Sequence, residues 1–308
     1  MRVGLTWQLN KPEDEALVRE IRPAVTKWSH EPLPGLQNTS GLEGKAAHIR
    51  DEFGAESIVD LRTEPVQTYL EWAAQYPGDI YKWFADWCHE VVLETRGAVR
   101  DWELWGEAAC PYTGKGFVEA DGTKLHEGMT YAGLIERVSE AIHAADPNAR
   151  VLLGGHGCDM DLRFWRELRA ADALRFADVN NLHPFLMRVR GADSVMDCLR
   201  AGLDEMSDGT PFVATEFGWP TQDGAAVHEL TSHVTDRVLS VGCEQAAEWT
   251  DLCFELFEER GFEYVVVCGL RDTPGKSHWG SKLGIVTHDG SPKGAYYTKV
   301  REWIDRGQ

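Results

Sequence analysis

The regular alternation of short apolar runs with amphipathic helical stretches constrains this chain more than any other feature. Eight runs rich in β-branched and aromatic residues are bounded by turn residues, and each is followed by a segment of helical period. They are "RVGLTW" (2 to 7), "PAVTKWS" (23 to 29), "SIVDLRT" (57 to 63), "AVRDWELWGE" (98 to 107), "RVLLGG" (150 to 155), "ADVNNLHPF" (177 to 185), "PFVATEFGW" (211 to 219) and "EYVVVCGL" (263 to 270). Near-continuous apolar runs are what strands require when helices bury both faces of a parallel sheet. The helical segment after the seventh run places Ala246, Trp249, Cys253, Leu256 and Phe257 on one face before Gly261 stops it. Within 308 residues there is no linker and no low-complexity segment. The pattern predicts a single (β/α)8 TIM barrel, one domain over residues 1–308. An open doubly wound sheet would carry a Gly-rich turn after its first strand, and "LTWQLNKP" has none.

A barrel of this kind does its chemistry at the carboxyl ends of its strands. That rule selects Trp7, Lys27, Trp28, Arg62, Glu107, His156, His183, Glu216 and Arg271. The segments 108 to 129, 219 to 241 and 271 to 284 are the longest loops on that end and are expected to wall a cleft. In "WELWGE" the two-residue period of a strand sets Glu103, Trp105 and Glu107 on one face and Trp102, Leu104 and Gly106 on the other. Glu107 ends the fourth run and Glu216 the seventh, so both carboxyl groups are expected at the mouth from nearly opposite sides. A glycosidase needs this arrangement, because one carboxyl protonates the departing oxygen while the other, ionised, attacks the anomeric carbon.

At these residues the sequence resembles a known family. "WELWGEA" looks like the "EIWNEP" segment of the clan A glycoside hydrolases, and "PFVATEFGWP" is similar to their "TEFGW" segment. "NNLHPF" resembles the strand-six segment that supplies a His or Tyr near the nucleophile, and "GIVTHDGSPKGAYYTKV" resembles the segment that closes many of these barrels. The nearest likeness is to family thirty-nine, with its β-xylosidases and α-L-iduronidases; it is strong over the last two thirds of the chain and diffuse over residues 1 to 60. The resemblance implies a retaining glycoside hydrolase without a cofactor, with Glu107 as acid/base, Glu216 as nucleophile and His183 beside Glu216 or the sugar. Glu103, one layer deeper, is then expected to hold a cation or backbone group below the site.

Two departures stand out. The clan carries Asn directly before the acid/base, where its amide bonds the sugar 2-hydroxyl, an interaction that strengthens in the transition state; this chain has Gly106. Another residue supplies that bond, or the sugar lacks or modifies that hydroxyl, or activity is residual. The clan's Trp at the end of strand eight is replaced by "CGLRD", and Trp279, in the loop beyond, is a candidate to stack on sugar instead.

The remaining chemistry-bearing residues are cations and aromatics. Lys27, Arg62 and Arg271 end predicted strands, and Lys276, His278 and Lys282 follow in the last loop. They suit an anionic sugar such as a uronate, or else one of them steadies ionised Glu216. Of twelve tryptophans, Trp7, Trp28, Trp105, Trp219 and Trp279 lie at strand ends or in the loops beyond them and are the candidates for stacking on sugar, with Tyr112 and Phe117 as additional wall residues. "HELTSH" spaces His228 and His233 five apart, wrong for two imidazoles on one helical face, and the first run lacks H-x-H. No catalytic metal is expected. A formal charge of -19 disfavours nucleic acid and anionic lipid as partners, and no long uncharged apolar run suggests a membrane span. Seven cysteines without a C-x-x-C pair read as reduced thiols, and a first strand opening at Arg2 leaves no room for a signal segment, so a cytoplasmic protein is expected. The competing reading is a carbohydrate-binding protein on a glycosidase scaffold, with catalysis weakened through Gly106 and the altered strand eight.

Overall fold

The computed structural model describes residues 1–7, 9, 11–31, 41–63, 74, 78–108, 130–155, 162–186, 191–221, 229–230, 238–274 and 279–308. Each predicted apolar run contains a strand: β1 Arg2–Leu5, β2 Val25–His30, β3 Glu56–Leu61, β4 Asp101–Leu104, β5 Arg150–Leu152, β6 Asn180–Leu182, β7 Phe212–Phe217 and, after the short antiparallel pair β8 Glu229–Leu230 and β9 Val238–Leu239, β10 Tyr264–Val267. Between and after them run α1 Pro12–Ile21, α2 Leu42–Phe53, α3 Lys82–Glu94, α4 Tyr131–Ala145, α5 Arg163–Ala170, α6 Ala192–Met206, α7 Cys243–Glu259 and α8 Gly294–Arg306. Local chemistry sets their ends. Pro12 opens α1 where a missing N–H costs nothing, and the Thr130 side chain accepts the Gly133 N–H at 3.1 Å to cap α4. The predicted apolar face of α7 is buried at all five positions, Ala246, Trp249, Cys253, Leu256 and Phe257.

The long strands are all parallel and form two four-stranded sheets, in the orders β1-β10-β7-β6 and β2-β3-β4-β5. The sequence reading expects one continuous ladder of eight; here the ladder is interrupted at two seams, where a few backbone contacts replace extended pairing. At one seam the Ala24 N–H donates to the Val3 carbonyl at 3.0 Å. At the other, Leu152 bridges Val179, and the Asp178 N–H donates to the Val151 carbonyl at 2.8 Å. Side chains also tie the sheets: Arg150 of β5 grips Asp101 at 2.8 and 2.7 Å and Glu263, next to β10, at 2.8 and 2.9 Å, while the Tyr264 hydroxyl donates to Asp101 Oδ2 at 2.7 Å.

Two apolar layers follow from strand alternation. Val25, Ile58, Leu152, Val179, Val213, Tyr264 and Val266 form a small inner cluster between the strands. The larger layer, with Trp102, Leu104, Trp83, Phe84 and Phe254, lies between strands and helices. Among the described residues no helix is long and apolar enough to cross a membrane, and the described cysteines Cys88, Cys198, Cys243, Cys253 and Cys268 are free thiols.

Candidate active site

Above the inner apolar cluster the interior becomes polar. Lys27 of β2, Asp60 of β3, Glu103 of β4, His183 just after β6 and Thr215 of β7 are all buried there. Burying one charge alone is prohibitive, so the groups must satisfy each other. The Lys27 ammonium lies 2.8 Å from Glu103 Oε2 and donates to Glu216 Oε1 at 2.7 Å. Glu103 also receives the Thr215 hydroxyl at 2.7 Å and the Gly155 N–H at 3.2 Å, and its Oε1 lies 3.1 Å from His183 Nε2. Asn181 completes the frame, accepting from the Thr215 N–H at 3.1 Å and donating to the Leu153 carbonyl at 3.0 Å. Glu103 therefore does what its depth implies: it holds the cation that in turn holds Glu216.

Glu216 reaches this cluster through a bulge. Along β7 and β10, Ala214 pairs with Val265 and Phe217 with Val267, so β7 carries one residue more than its partner across that interval. The extra residue lets adjacent side chains, Thr215 and Glu216, both turn inward, which strict alternation forbids. Glu107 arrives by a different distortion. Trp105 and Glu107 are left-handed, with φ of 59 and 60°, so the alternation of β4 ends at Leu104. The shared face predicted for Glu103, Trp105 and Glu107 is thereby corrected. Trp105 swings outward against Phe84, their ring centroids 5.5 Å apart, and Glu107 Oε1 comes to 3.8 Å from His183 Nδ1.

His183 stands between the two carboxylates. Its fully buried Nδ1 lies 3.7 Å from Glu216 Oε2 and has no hydrogen-bond partner among the described residues, while Nε2 faces Glu103 and Thr215. The ring fits because position 155 is Gly: a Cβ there would sit 2.1 Å from His183 Cδ2. Burial pushes the imidazole towards neutrality, but the Glu216 and Glu103 carboxylates outweigh it and raise its pKa to about 9. Burial likewise opposes ionisation of Glu216, yet the His183 and Lys27 charges prevail and hold its carboxyl at about 2. Glu103 is driven well below the usual carboxylate range by Lys27 and His183 against the cost of burial, and Lys27 is raised by the same carboxylates. At neutral pH the cluster thus contains an ionised Glu216 beside two cations.

Glu107, His183 and Glu216 offer ligand atoms that all lie within 4.8 Å of one another. That donor set could accept a cation, opposed by the Lys27 ammonium 2.7 Å from Glu216.

The other predicted site residues divide. Arg62 follows β3 and pairs with Asp60 Oδ2 at 3.2 Å, at the edge of the cluster. Trp7 and Arg271 line a cavity of about 330 Å³ at the ends of β1 and β10, together with Lys11, Asp14, Cys268 and Thr273. Cys268 connects that cavity to the carboxylates, its Sγ 3.8 Å from Glu216 Oε2, while Arg271 donates to Asp14 Oδ1 at 2.6 Å. Three tryptophans are corrections. Trp105 and Trp219 are 0% and 1% exposed in the sheet–helix layer, Trp219 donating to Thr250 Oγ1 at 3.1 Å, so neither offers a face to sugar. Trp28, next to inward Lys27, must point outward, and the Lys45 ammonium covers its ring at 3.8 Å. Lys282 uses its carbonyl, accepting from Lys293 Nζ at 3.1 Å. The side chain of Trp279, and His156, Tyr112, Phe117, Lys276, His278, His228 and His233, lie outside the described residues. Sequence reasoning missed Thr215, Asn181, Asp60 and Cys268. Only Asp60 announced itself, as a lone charge inside the apolar run "SIVDL".

No family model matches this chain, and no curated protein matches it. Solved structures do. A family 39 glycoside hydrolase of the gut symbiont Bacteroides cellulosilyticus WH2 aligns at TM-score 0.64 and 14% identity, over 98% of this chain and 63% of that one. A β-glucuronidase of Bacteroides uniformis aligns at 0.58 and 13%, over 97% and 34%, and the GH53 catalytic domain of Ignisphaera aggregans at 0.58 and 9%, over 98% and 91%. The chain thus spans less than two thirds of the family 39 structure. At such identities the likeness is one of fold, and the fold neighbours of this chain are family 39 and related glycoside hydrolases of the clan A type.

Proposed function

We propose that the chain forms a closed (β/α)8 barrel, a single catalytic domain over residues 1–308, that hydrolyses glycosidic bonds with retention of configuration. The separation of the two carboxylates carries this reading. Oxygens of Glu107 and Glu216 lie within 4.8 Å of each other. Retaining enzymes set their carboxyl groups about 5–5.5 Å apart, whereas inverting ones leave room for a water at about 6.5–9.5 Å.

Glu107, as a carboxylic acid, gives its proton to the glycosidic oxygen while Glu216 attacks the anomeric carbon. The bond to the leaving group breaks, its electron pair leaves on the protonated oxygen, and a glycosyl ester forms on Glu216. Water, losing a proton to Glu107, then attacks the same carbon and frees Glu216. Lys27 binds Oε1 of Glu216 at 2.7 Å, which leaves Oε2 as the attacking oxygen.

The substrate is a carbohydrate, and the strand-end cations Lys27, Arg62 and Arg271 favour a neutral one. Lys27 faces Glu103 and Glu216, Arg62 faces Asp60, and Arg271 faces Asp14, so each of these three strand-end cations already has a protein carboxylate.

A panel of 4-nitrophenyl glycosides and oligosaccharides, spanning neutral and uronic sugars, tests the reading with wild type and Glu216→Gln. Release that disappears in the variant, with the first-formed anomer retained by proton NMR, is expected. An inverted first product, or a variant as fast as wild type, would overturn it. Cleavage of uronosides alone would overturn the preference for a neutral sugar.

A further inference from the structure

The reaction as written has no use for Asp60, although this carboxylate is fully buried one strand from Glu103 and in register with it. Its Oδ1 accepts the Gly106 N–H at 2.8 Å. Its Oδ2 lies 3.2 Å from Arg62 Nη1 and accepts the Ser29 hydroxyl at 3.4 Å. Burial, helped by the Glu103 charge, pushes its carboxyl above the usual range, against the opposing pull of Lys27 and Arg62.

Gly106 is the peptide on which the aim of Glu107 turns. It sits between two non-glycine residues in the left-handed region, a conformation that costs about 1–3 kcal/mol per residue and persists only where surrounding contacts over-determine it. Hydrogen bonds among the described residues supply such contacts. The Trp105 N–H donates to the Leu61 carbonyl at 2.9 Å, the Tyr131 hydroxyl to the Leu104 carbonyl at 2.6 Å, and the Gly106 N–H to Asp60. Of these three, the last adjoins Glu107. The space around Gly106 is also committed to Asp60: a Cβ at position 106 would lie 2.7 Å from Asp60 Oδ2 and 3.1 Å from Glu103 Oε1. A side chain at 106 and the Asp60 carboxylate therefore compete for one volume.

We infer that Asp60 is a positioning residue for Glu107, its buried carboxylate pinning the Gly106 peptide so that the left-handed turn delivers Glu107 to the leaving-group oxygen. The inference rests on Glu107 being the acid/base. It also accounts for glycine before Glu107: the position carries a backbone anchor where a side chain would displace the anchoring group.

Loss of the acid shows in its dependence on the leaving group, because a 2,4-dinitrophenolate departs without protonation and a phenolate does not. The test compares Asp60→Ala, Asp60→Asn and Glu107→Gln with wild type, on the dinitrophenyl and phenyl glycosides of the sugar that the panel above identifies. Glu107→Gln is expected to lose about 10²–10⁴-fold in kcat/KM on the phenyl glycoside and far less on the dinitrophenyl one. Asp60→Ala is expected to lose in the same selective way, by about 10²-fold, since a small misplacement of a catalytic group costs that much. Asp60→Asn, whose amide oxygen can still accept from Gly106, recovers most of it. Equal loss of Asp60→Ala on both substrates, or none on either, would overturn the inference while leaving Glu107 as the acid. Should Glu107→Gln itself lose equally on both, the acid/base reading fails instead. Hydrogen exchange of the peptide covering 102–108 reads the anchor without any substrate. It should rise in Asp60→Ala and not in Asp60→Asn, and unchanged exchange in the alanine variant would sink the proposal.

Discussion

Lys27 and Glu216, from strands in different sheets, meet with Nζ and Oε1 2.7 Å apart, and Glu103 holds the same ammonium from a third strand at 2.8 Å. One cation thus compensates two carboxylates, the lower of them fully buried.

Replacing Lys27 by Met leaves both carboxylates without their ammonium. Breaking a buried pair on one side costs about 3–5 kcal/mol, so the variant should melt markedly earlier. Turnover should fall as well, because the Glu216 carboxyl moves up from about 2 and its Oε1 loses its anchor. Lys27→Arg, keeping the charge, should recover much of the stability. Thermal unfolding alongside kcat for both variants checks this, and a Met variant as stable as wild type would contradict it.

The pH dependence of stability follows from the signs of two shifts. The imidazole of His183, facing Glu103, Glu107, Glu216 and Lys27, has its pKa raised from 6.5 to about 9. Its contribution is complete below pH 6.5 and is lost as pH rises through about 9. Glu216 is depressed from 4.5 to about 2, so its contribution is present above pH 4.5 and lost as pH falls towards about 2. The difference in melting temperature between wild type and His183→Gln should therefore shrink between neutral pH and pH of about 10. A difference constant over that window would be the contrary result.

Supplying the clan's amide by Gly106→Asn should not raise turnover. Its Cβ would press on Asp60 Oδ2 at 2.7 Å, and overpacking a filled interior costs about 1–3 kcal/mol. The expected outcome is a lower melting temperature with lower kcat; a faster enzyme on a 2-hydroxylated sugar would show that Asp60 can yield the space.

Below the site, Arg150 joins the two sheets through Asp101 and Glu263. Arg150→Met should destabilise by about 3–5 kcal/mol, since it strands Asp101, whose side chain is only 8% exposed. Denaturant unfolding measures it. A kcat unchanged at temperatures where the variant stays folded would separate this scaffold role from the chemistry above.

The residue order alone determined the eight strands and the helices between them, because periods of 2 and 3.6 and turn residues are local properties. The buried face of α7 was legible there, whereas the approach of His183 to Glu216 was implied only by the family resemblance. Tertiary structure decided where the alternation fails. Trp105 and Glu107 adopt left-handed backbone because Leu61, Asp60 and Tyr131, distant in sequence, hold that turn. Thr215 and Glu216 share one side because β7 carries a bulge against β10, a matter of register between strands. Those contacts sent Trp105 into the helix layer and made Lys27, among the described candidate cations, the one beside Glu216. A strand's own sequence specifies which faces it has; only its neighbours decide where it bends.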